Sequence, residues 1–356
     1  MTQATPSSRR VTVISGTRPE VLKLAPVVQA LRARGAEVRW VDTGQQGALV
    51  RETFSELGLR AEVSLGVDVR GLSEGTASLL AGVGRVLEVS RPPDVVVVHG
   101  DTSSALAGAM AAFYAGVPVA HVEAGLRSHD LAHPFPEEQH RVLIDRLSTW
   151  WFAPTAPAYE QLLAEGCAAE RVHLVGNPVV DALHGARGRA VELPAAVEEL
   201  LAGERPTVLV TCHRRENHHR MAAVAEALQA LSETHAVVAV RHPHPATGAV
   251  AEAATVAVGP LPQAAFLRLL DRADVVLTDS GGVQEEAVAL GRRALVLRET
   301  TERPEGVALG LLELVGTDPA RIVAAVRAQE QAPRWTGRCP YGNGDAGARI
   351  AAILTP

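Results

Sequence analysis

Aromatic residues are scarce in this chain, at 3% of its 356 residues. So few flat side chains cannot build the base-stacking platforms of single-strand nucleic-acid binders. Excess positive charge is missing too. The formal net charge is −6 and the pI is near 6.1, which excludes a protein that gathers a phosphate backbone. Any anion must be held by a local cluster of cations. The three cysteines, Cys167, Cys212 and Cys339, stand far apart with no CxxC pair, so neither a zinc ribbon nor a disulfide framework is indicated. An uninterrupted apolar run of membrane-spanning length is lacking. The opening MTQATPSSRR leads into VTVIS, too short for the apolar core of a signal peptide. These absences predict a cytoplasmic protein that binds neither nucleic acid nor membrane. Motifs are absent as well. No GxGxxG follows residues 11–15, and the chain holds no GxxxxGK[ST], no HExxH and no D-x-D pair. Neither NAD nor an obligatory metal is therefore expected as a cofactor.

What the chain has is alternation. Apolar runs at 11–15, 37–41, 94–98, 117–122 and 149–152 are each followed by a stretch of helical spacing, and a further run stands at 172–175. A second series follows at 207–211, 237–240, 275–278 and 294–297. The four valines of 95–98 read as a strand buried on both faces. Such alternation implies right-handed crossovers and parallel sheets. The length and a break at Gly176-Asn177-Pro178 predict two doubly wound, Rossmann-like domains, with the junction within 176–205.

Nearly every strand ends in a charged or glycine-rich turn: Gly16–Glu20, His99–Thr102, Glu123, His213–Glu216, Arg241–His244, Asp279–Gly282 and Arg298–Arg303. In open parallel sheets, ligands sit at that edge. Two sheets with facing edges would form one cleft lined by all these turns. Glu123 is the sharpest single signal, a carboxylate after an apolar strand with no helix to cap. Glu137 and Glu138 have a plainer explanation, since acidic residues suit the first turn of a helix begun by Pro136. Arg141, four residues on, shares a face with Glu137. Asp279-Ser280-Gly281-Gly282 before a helix would cradle a phosphate, or would simply cap that helix. Glu286 lies one to two turns in, placed for ribose hydroxyls. Arg18, Lys23, His213 and Arg303 bring positive charge from separate segments. Asp101, Glu123 and Glu137 bring carboxylates from the first half alone. This combination suits acid–base chemistry on a sugar carried by a nucleotide diphosphate.

The runs GTRPE (16–20), HGDT (99–102), HVEAGLRS (121–128), PFPEEQHR (134–141), GNPVVDAL (176–183), HRREN (213–217), DSGGVQEEA (279–287), ETTERPE (299–305) and PYGNG (340–344) occur in one order over nearly the whole chain. This set closely resembles the non-hydrolysing UDP-N-acetylglucosamine 2-epimerases. The resemblance implies a GT-B-like fold with domains at 1–180 and 181–344, the helix at 345–356 returning to the first. It implies a homodimer that interconverts UDP-GlcNAc and UDP-ManNAc, eliminating UDP to leave 2-acetamidoglucal and adding it back. By the same carry-over Asp101, Glu123 and Glu137 are acid/base candidates near the sugar, and His213 assists the departing β-phosphate. Arg18, Lys23, Ser280, Gly281 and Gly282 hold the diphosphate. Glu286 binds ribose, Phe266 lies against uracil, Arg303 contacts the sugar or its phosphate, and Arg141 orients Glu137. Gln45, Arg214 and His242 are remnants of a regulatory site. Gln45-Gln46-Gly47 and the displaced Arg70 depart from the pattern tied to activation by a second substrate molecule. Alternative readings are the same chemistry on another UDP-2-acetamido sugar, a hydrolysing epimerase, a GT-B glycosyltransferase or a non-catalytic UDP-sugar sensor.

Overall fold

The computed structural model describes residues 8–67, 71–88, 91–187, 189, 191–242 and 244–356; Arg70 and Pro243 lie outside them. The chain divides into two compact units, residues 1–182 with 341–356, and residues 183–340.

The first unit is built on β1 (Arg10–Ser15), β2 (Glu37–Asp42), β3 (Val63–Ser64), β4 (Val95–His99), β5 (Val119–Val122), β6 (Trp150–Ala153) and β7 (Val172–Leu174). They form one parallel sheet in the order β3-β2-β1-β4-β5-β6-β7. The second unit holds β8 (Thr207–Thr211), β9 (Ala236–Val240), β10 (Val256–Val258), β11 (Val275–Thr278), β12 (Ala294–Val296) and β13 (Leu312–Leu314). Its sheet is also parallel, ordered β10-β9-β8-β11-β12-β13. In each sheet the winding direction reverses once, between β1 and β4 and between β8 and β11. A reversal leaves a crevice at the carboxyl ends of those two strands.

Helices cover both faces of these strands, which explains the unbroken apolar runs. All five residues of β4, Val-Val-Val-Val-His, are buried. Three strands, β3, β10 and β13, have no counterpart among the runs picked out in the sequence. Each is two or three residues long and lies at a sheet edge. A short strand paired on one side needs no alternating pattern, so periodicity does not reveal it. The Gly176-Asn177-Pro178 break is followed directly by a helix, Pro178–Ala186, with Pro178 in the first position where a missing N–H costs nothing.

The helix Arg18–Ala33 buries Leu24, Val27, Val28 and Leu31 on one stripe. The helix Ala346–Leu354 adds Ile350, Ala351 and Leu354 to the same core. Gly347 permits the contact, because a Cβ there would stand 2.9 Å from the Pro26 carbonyl carbon and oxygen. Full burial of side chains like Ile350 and Leu354 stabilises by about 1.5–3 kcal/mol each. Among the described residues no helix is long and apolar enough to cross a membrane.

Candidate active site

At the β1/β4 reversal, one buried carboxylate joins the two turns. Glu20 Oε2 accepts from Gly16 N at 3.0 Å and from Thr17 N and Oγ1, both at 2.8 Å; Oε1 accepts from Thr102 Oγ1 at 2.7 Å. Burial pushes its carboxyl upward and outweighs these bonds and the pull of His99. Sequence reading passed over Glu20, although an acid three residues after Thr17 is the spacing of a capping box. Gln45 is tied to the same place, its Oε1 accepting from Ser104 N at 3.1 Å and Ser104 Oγ at 2.6 Å. Gln46 Oε1 accepts from Arg18 N at 2.8 Å.

Glu123 follows β5 with φ at +68°, the left-handed region that side chains other than glycine rarely occupy. That backbone turn sends the carboxylate back into the unit, where Glu123 is buried. Oε2 accepts from Lys23 Nζ and from Asn177 Nδ2, the latter at 2.8 Å, and His99 Nε2 stands 3.3 Å away. Lys23 is itself buried. A buried ammonium needs a partner, and Glu123 supplies it.

Asp101 stands on the turn after β4. Its Oδ2 accepts from Arg141 Nη2, and its main-chain oxygen accepts from His140 Nδ1 at 2.9 Å. Arg141 also donates from Nη1 to Glu138 Oε2 at 3.1 Å. Sequence spacing had linked Arg141 to Glu137. Arg141 reaches Asp101 and Glu138, groups that spacing on one helix face does not single out, and Glu138 turns inward to accept from Ser128 N and His129 N at 3.0 Å. Glu137 opens the helix Glu137–Leu147 and is half-buried.

A buried scaffold lies behind these groups. His121 Nδ1 is 2.6 Å from Asp145 Oδ1, and Nε2 is 2.8 Å from Gly100 O. Both ring nitrogens face oxygens. Asp145 Oδ2 also accepts from Arg127 Nη2 at 2.7 Å, and Arg127 reaches Glu165. Burial would raise the Asp145 carboxyl, but His121 and Arg127 bring it below the usual carboxylate range.

The second unit repeats the device at the β8/β11 reversal. Asp279, wholly buried, does not cap the helix after it. Its Oδ2 accepts from His213 N at 2.9 Å, Arg214 N at 2.8 Å, Asn217 Nδ2 at 3.1 Å and Cys212 Sγ at 3.3 Å. Burial and the Asp279 charge push the Cys212 thiol well up, which keeps it an S–H donor. Ser280 stands at the cap position of the helix Gly281–Ala289 and makes no side-chain cap bond. The first amides of that helix thus lack a side-chain oxygen from either neighbour, and helix N-termini of this kind attract anions.

Arg303 completes this corner. A Cβ on Gly281 would lie 2.5 Å from Arg303 Nη1, so the guanidinium rests directly on the glycine. Arg303 Nε donates to Glu285 Oε1 at 2.9 Å, and Nη1 lies 3.4 Å from Glu302 Oε2. Glu286, the next residue in the helix, is buried. Phe266 is half-buried on the helix Gln263–Arg272. His213 stacks on His242, ring centroids 5.2 Å apart, and His218 stacks on His244 at 4.2 Å. Burial lowers the His213 pKa, Asp279 opposes, and Arg214, His242 and His218 reinforce the fall. The net shift favours the neutral imidazole.

Glu305 is the odd carboxyl of this unit. Burial pushes it up to about 7, Arg303 pulling it down and Glu285 pushing it up. Its proton is held more tightly in the folded chain than in the unfolded one. That stabilisation is complete below about pH 4.5 and is lost as pH rises through about 7. Glu305→Gln should therefore melt higher than the wild type at pH 8, by up to about 3 kcal/mol in stability, and show little difference near pH 4.5. Thermal melts across that range test this; a gap independent of pH would contradict it.

Two parallel α/β units with polar reversal points, one rich in carboxylates and one with an open helix N-terminus, define an enzyme of GT-B-like architecture. The family profile described as UDP-N-acetylglucosamine 2-epimerase matches residues 29–355. The Ralstonia solanacearum protein named "Probable UDP-N-acetylglucosamine 2-epimerase" is 39% identical, over 97% of this chain and 98% of its own length. Among solved structures, the S. aureus MnaA–UDP co-structure superposes with a TM-score of 0.89 at 34% identity, covering 96% of this chain and 95% of that one. The Neisseria meningitidis UDP-GlcNAc 2-epimerase bound to UDP-GlcNAc gives 0.89 at 32% identity, covering 97% and 99%. The chain belongs to the UDP-N-acetylglucosamine 2-epimerase family, a family of isomerases.

Proposed function

We propose that the protein interconverts UDP-GlcNAc and UDP-ManNAc by eliminating UDP to 2-acetamidoglucal and re-adding it. The observation that carries this reading is the ion pair of Glu123 with Lys23, beside the Asp101–Arg141 pair, at the carboxyl edge of the sheet where ligands of open parallel sheets sit. The C2–H of the substrate has no neighbouring carbonyl and is not acidic. As the anomeric C–O bond breaks, positive charge grows at C1 and the C2 proton becomes removable. Leaving-group stabilisation and a carboxylate base are then needed together. Asp101, Glu123 and Glu137 serve as the acid/base set. The amides at Gly281–Gly282 with Ser280, Arg18 and Arg303 bind the diphosphate, and His213, as a neutral N–H donor, supports the departing β-phosphate. Glu286 takes the ribose and Phe266 the uracil.

Proton NMR of the protein with UDP-GlcNAc in D2O tests this. UDP-ManNAc should appear with deuterium at C2; free ManNAc plus UDP would assign a hydrolysing reaction instead. Gly281→Ala supplies a test of the cradle. Its Cβ displaces a guanidinium pinned by Glu285 and Glu302, and UDP affinity should fall about tenfold, an expected cost for disturbing charge-assisted bonds. Unchanged affinity by calorimetry would remove Arg303 from the cradle.

A further inference from the structure

Asn177 reaches Glu123 from the segment that leads out of the first unit, and several contacts hold it in place. Its Oδ1 accepts from Val179 N at 3.1 Å, capping the helix Pro178–Ala186. That bond settles the amide orientation, so Nδ2 faces Glu123 Oε2 at 2.8 Å. Its main-chain N–H donates to Tyr341 O at 2.7 Å, where the chain re-enters the unit. Beside this bond two glycine backbones touch. A Cβ on Gly342 would lie 3.1 Å from Gly176 Cα, and both glycines have positive φ. The side chain of Asn177 has no room to swing, and the residue is fully buried.

We propose that Asn177 is a positioning residue for the reaction, fixing the plane and the acceptor state of the Glu123 carboxylate; this rests on the epimerase reading above. An amide N–H can only donate, so Oε2 is an acceptor in this arrangement. With Lys23 and His99 converging on the same oxygen, rotation of the carboxylate is blocked. Oε1 then lies beside the turn that carries Asp101, 3.9 Å from where a Gly100 Cβ would be.

Asn177→Asp separates this role from a merely structural one. The variant has the same shape, and its Oδ1 still accepts from Val179 N. Protonated, its O–H donates to Glu123 as the amide does. Ionised, it places a second negative charge there, facing Glu123, Lys23 and His99. Turnover, measured with C2 deuterium incorporation, should lie within about fivefold of wild type near pH 5.5 and fall more than about tenfold relative to it by pH 8.5. Affinity for UDP should not change. Asn177→Ser keeps a capping oxygen but cannot reach Glu123, and should lose about 10- to 100-fold in turnover with no added pH slope. An Asn177→Asp to wild-type ratio that is flat with pH, or full turnover in Asn177→Ser, would overturn the role of Asn177. Absence of C2 exchange in the wild type, run alongside, would instead overturn the epimerase reading.

Discussion

Glu123→Gln should lower turnover by about three orders of magnitude while leaving UDP affinity within a factor of about two. The substitution preserves shape. The amide oxygen can occupy the Oε2 position and accept from Asn177 Nδ2 and Lys23 Nζ. The group that can take a proton is lost, and Lys23 loses its counter-charge. UDP affinity is the control, because the residues assigned to ribose, uracil and most of the diphosphate belong to the second unit. The same D2O experiment reads both, since loss of the base removes epimerisation and C2 exchange together. A variant that epimerises at near-normal rates would displace Glu123 from the centre of the mechanism. A variant that has also lost UDP binding would point to a structural collapse around Lys23.

Asp279→Ala should have the second large effect, this time on binding and folding together. The carboxylate gathers the N–H groups of His213 and Arg214, the Asn217 amide and the Cys212 thiol, in a site closed to water. Removing it strands buried donors, at a cost of about 3–5 kcal/mol to the second unit. The turn carrying His213 is then no longer held against the turn carrying Ser280. Affinity for UDP should drop by about two orders of magnitude, the equivalent of roughly 3 kcal/mol. Thermal melts and calorimetry with UDP check the two effects. Wild-type stability with wild-type binding would show that the turn holds its shape without this carboxylate.

Much of this was legible in the sequence, and the rest was hidden for identifiable reasons. The alternation of apolar runs and helical spacing yielded the two parallel sheets, and ten of their strands. The strands that escaped, β3, β10 and β13, are edge pieces whose existence depends on a neighbour rather than on a pattern of their own. Glu123 stood out because no local job explained it. Asp279 was readable as polar, but its role was not, because its partners lie 62–67 positions away along the chain. Local spacing offered Ser280 and the helix, while tertiary structure turned the side chain the other way. Arg141 taught the same lesson at short range. Its bonds to Glu138 and Asp101 run to a residue three positions back and to one forty back, and helical spacing pointed to neither. Asn177 was visible only as part of a chain break, its amide contact with Glu123 spanning 54 positions.

The packing of the helix Ala346–Leu354 against the helix Arg18–Ala33 has a consequence for biosynthesis. A ribosome makes residues 18–33 early and 341–356 after everything else described here. The unit that begins first is therefore completed last. Residues 183–340 carry all of their own unit, while the first unit waits for Ile350, Ala351 and Leu354. Until those side chains arrive, Leu24, Val27 and Val28 lack part of their cover. A chain truncated before residue 341 would hold the whole second unit and an incomplete first one, with an apolar helix surface open to chaperones.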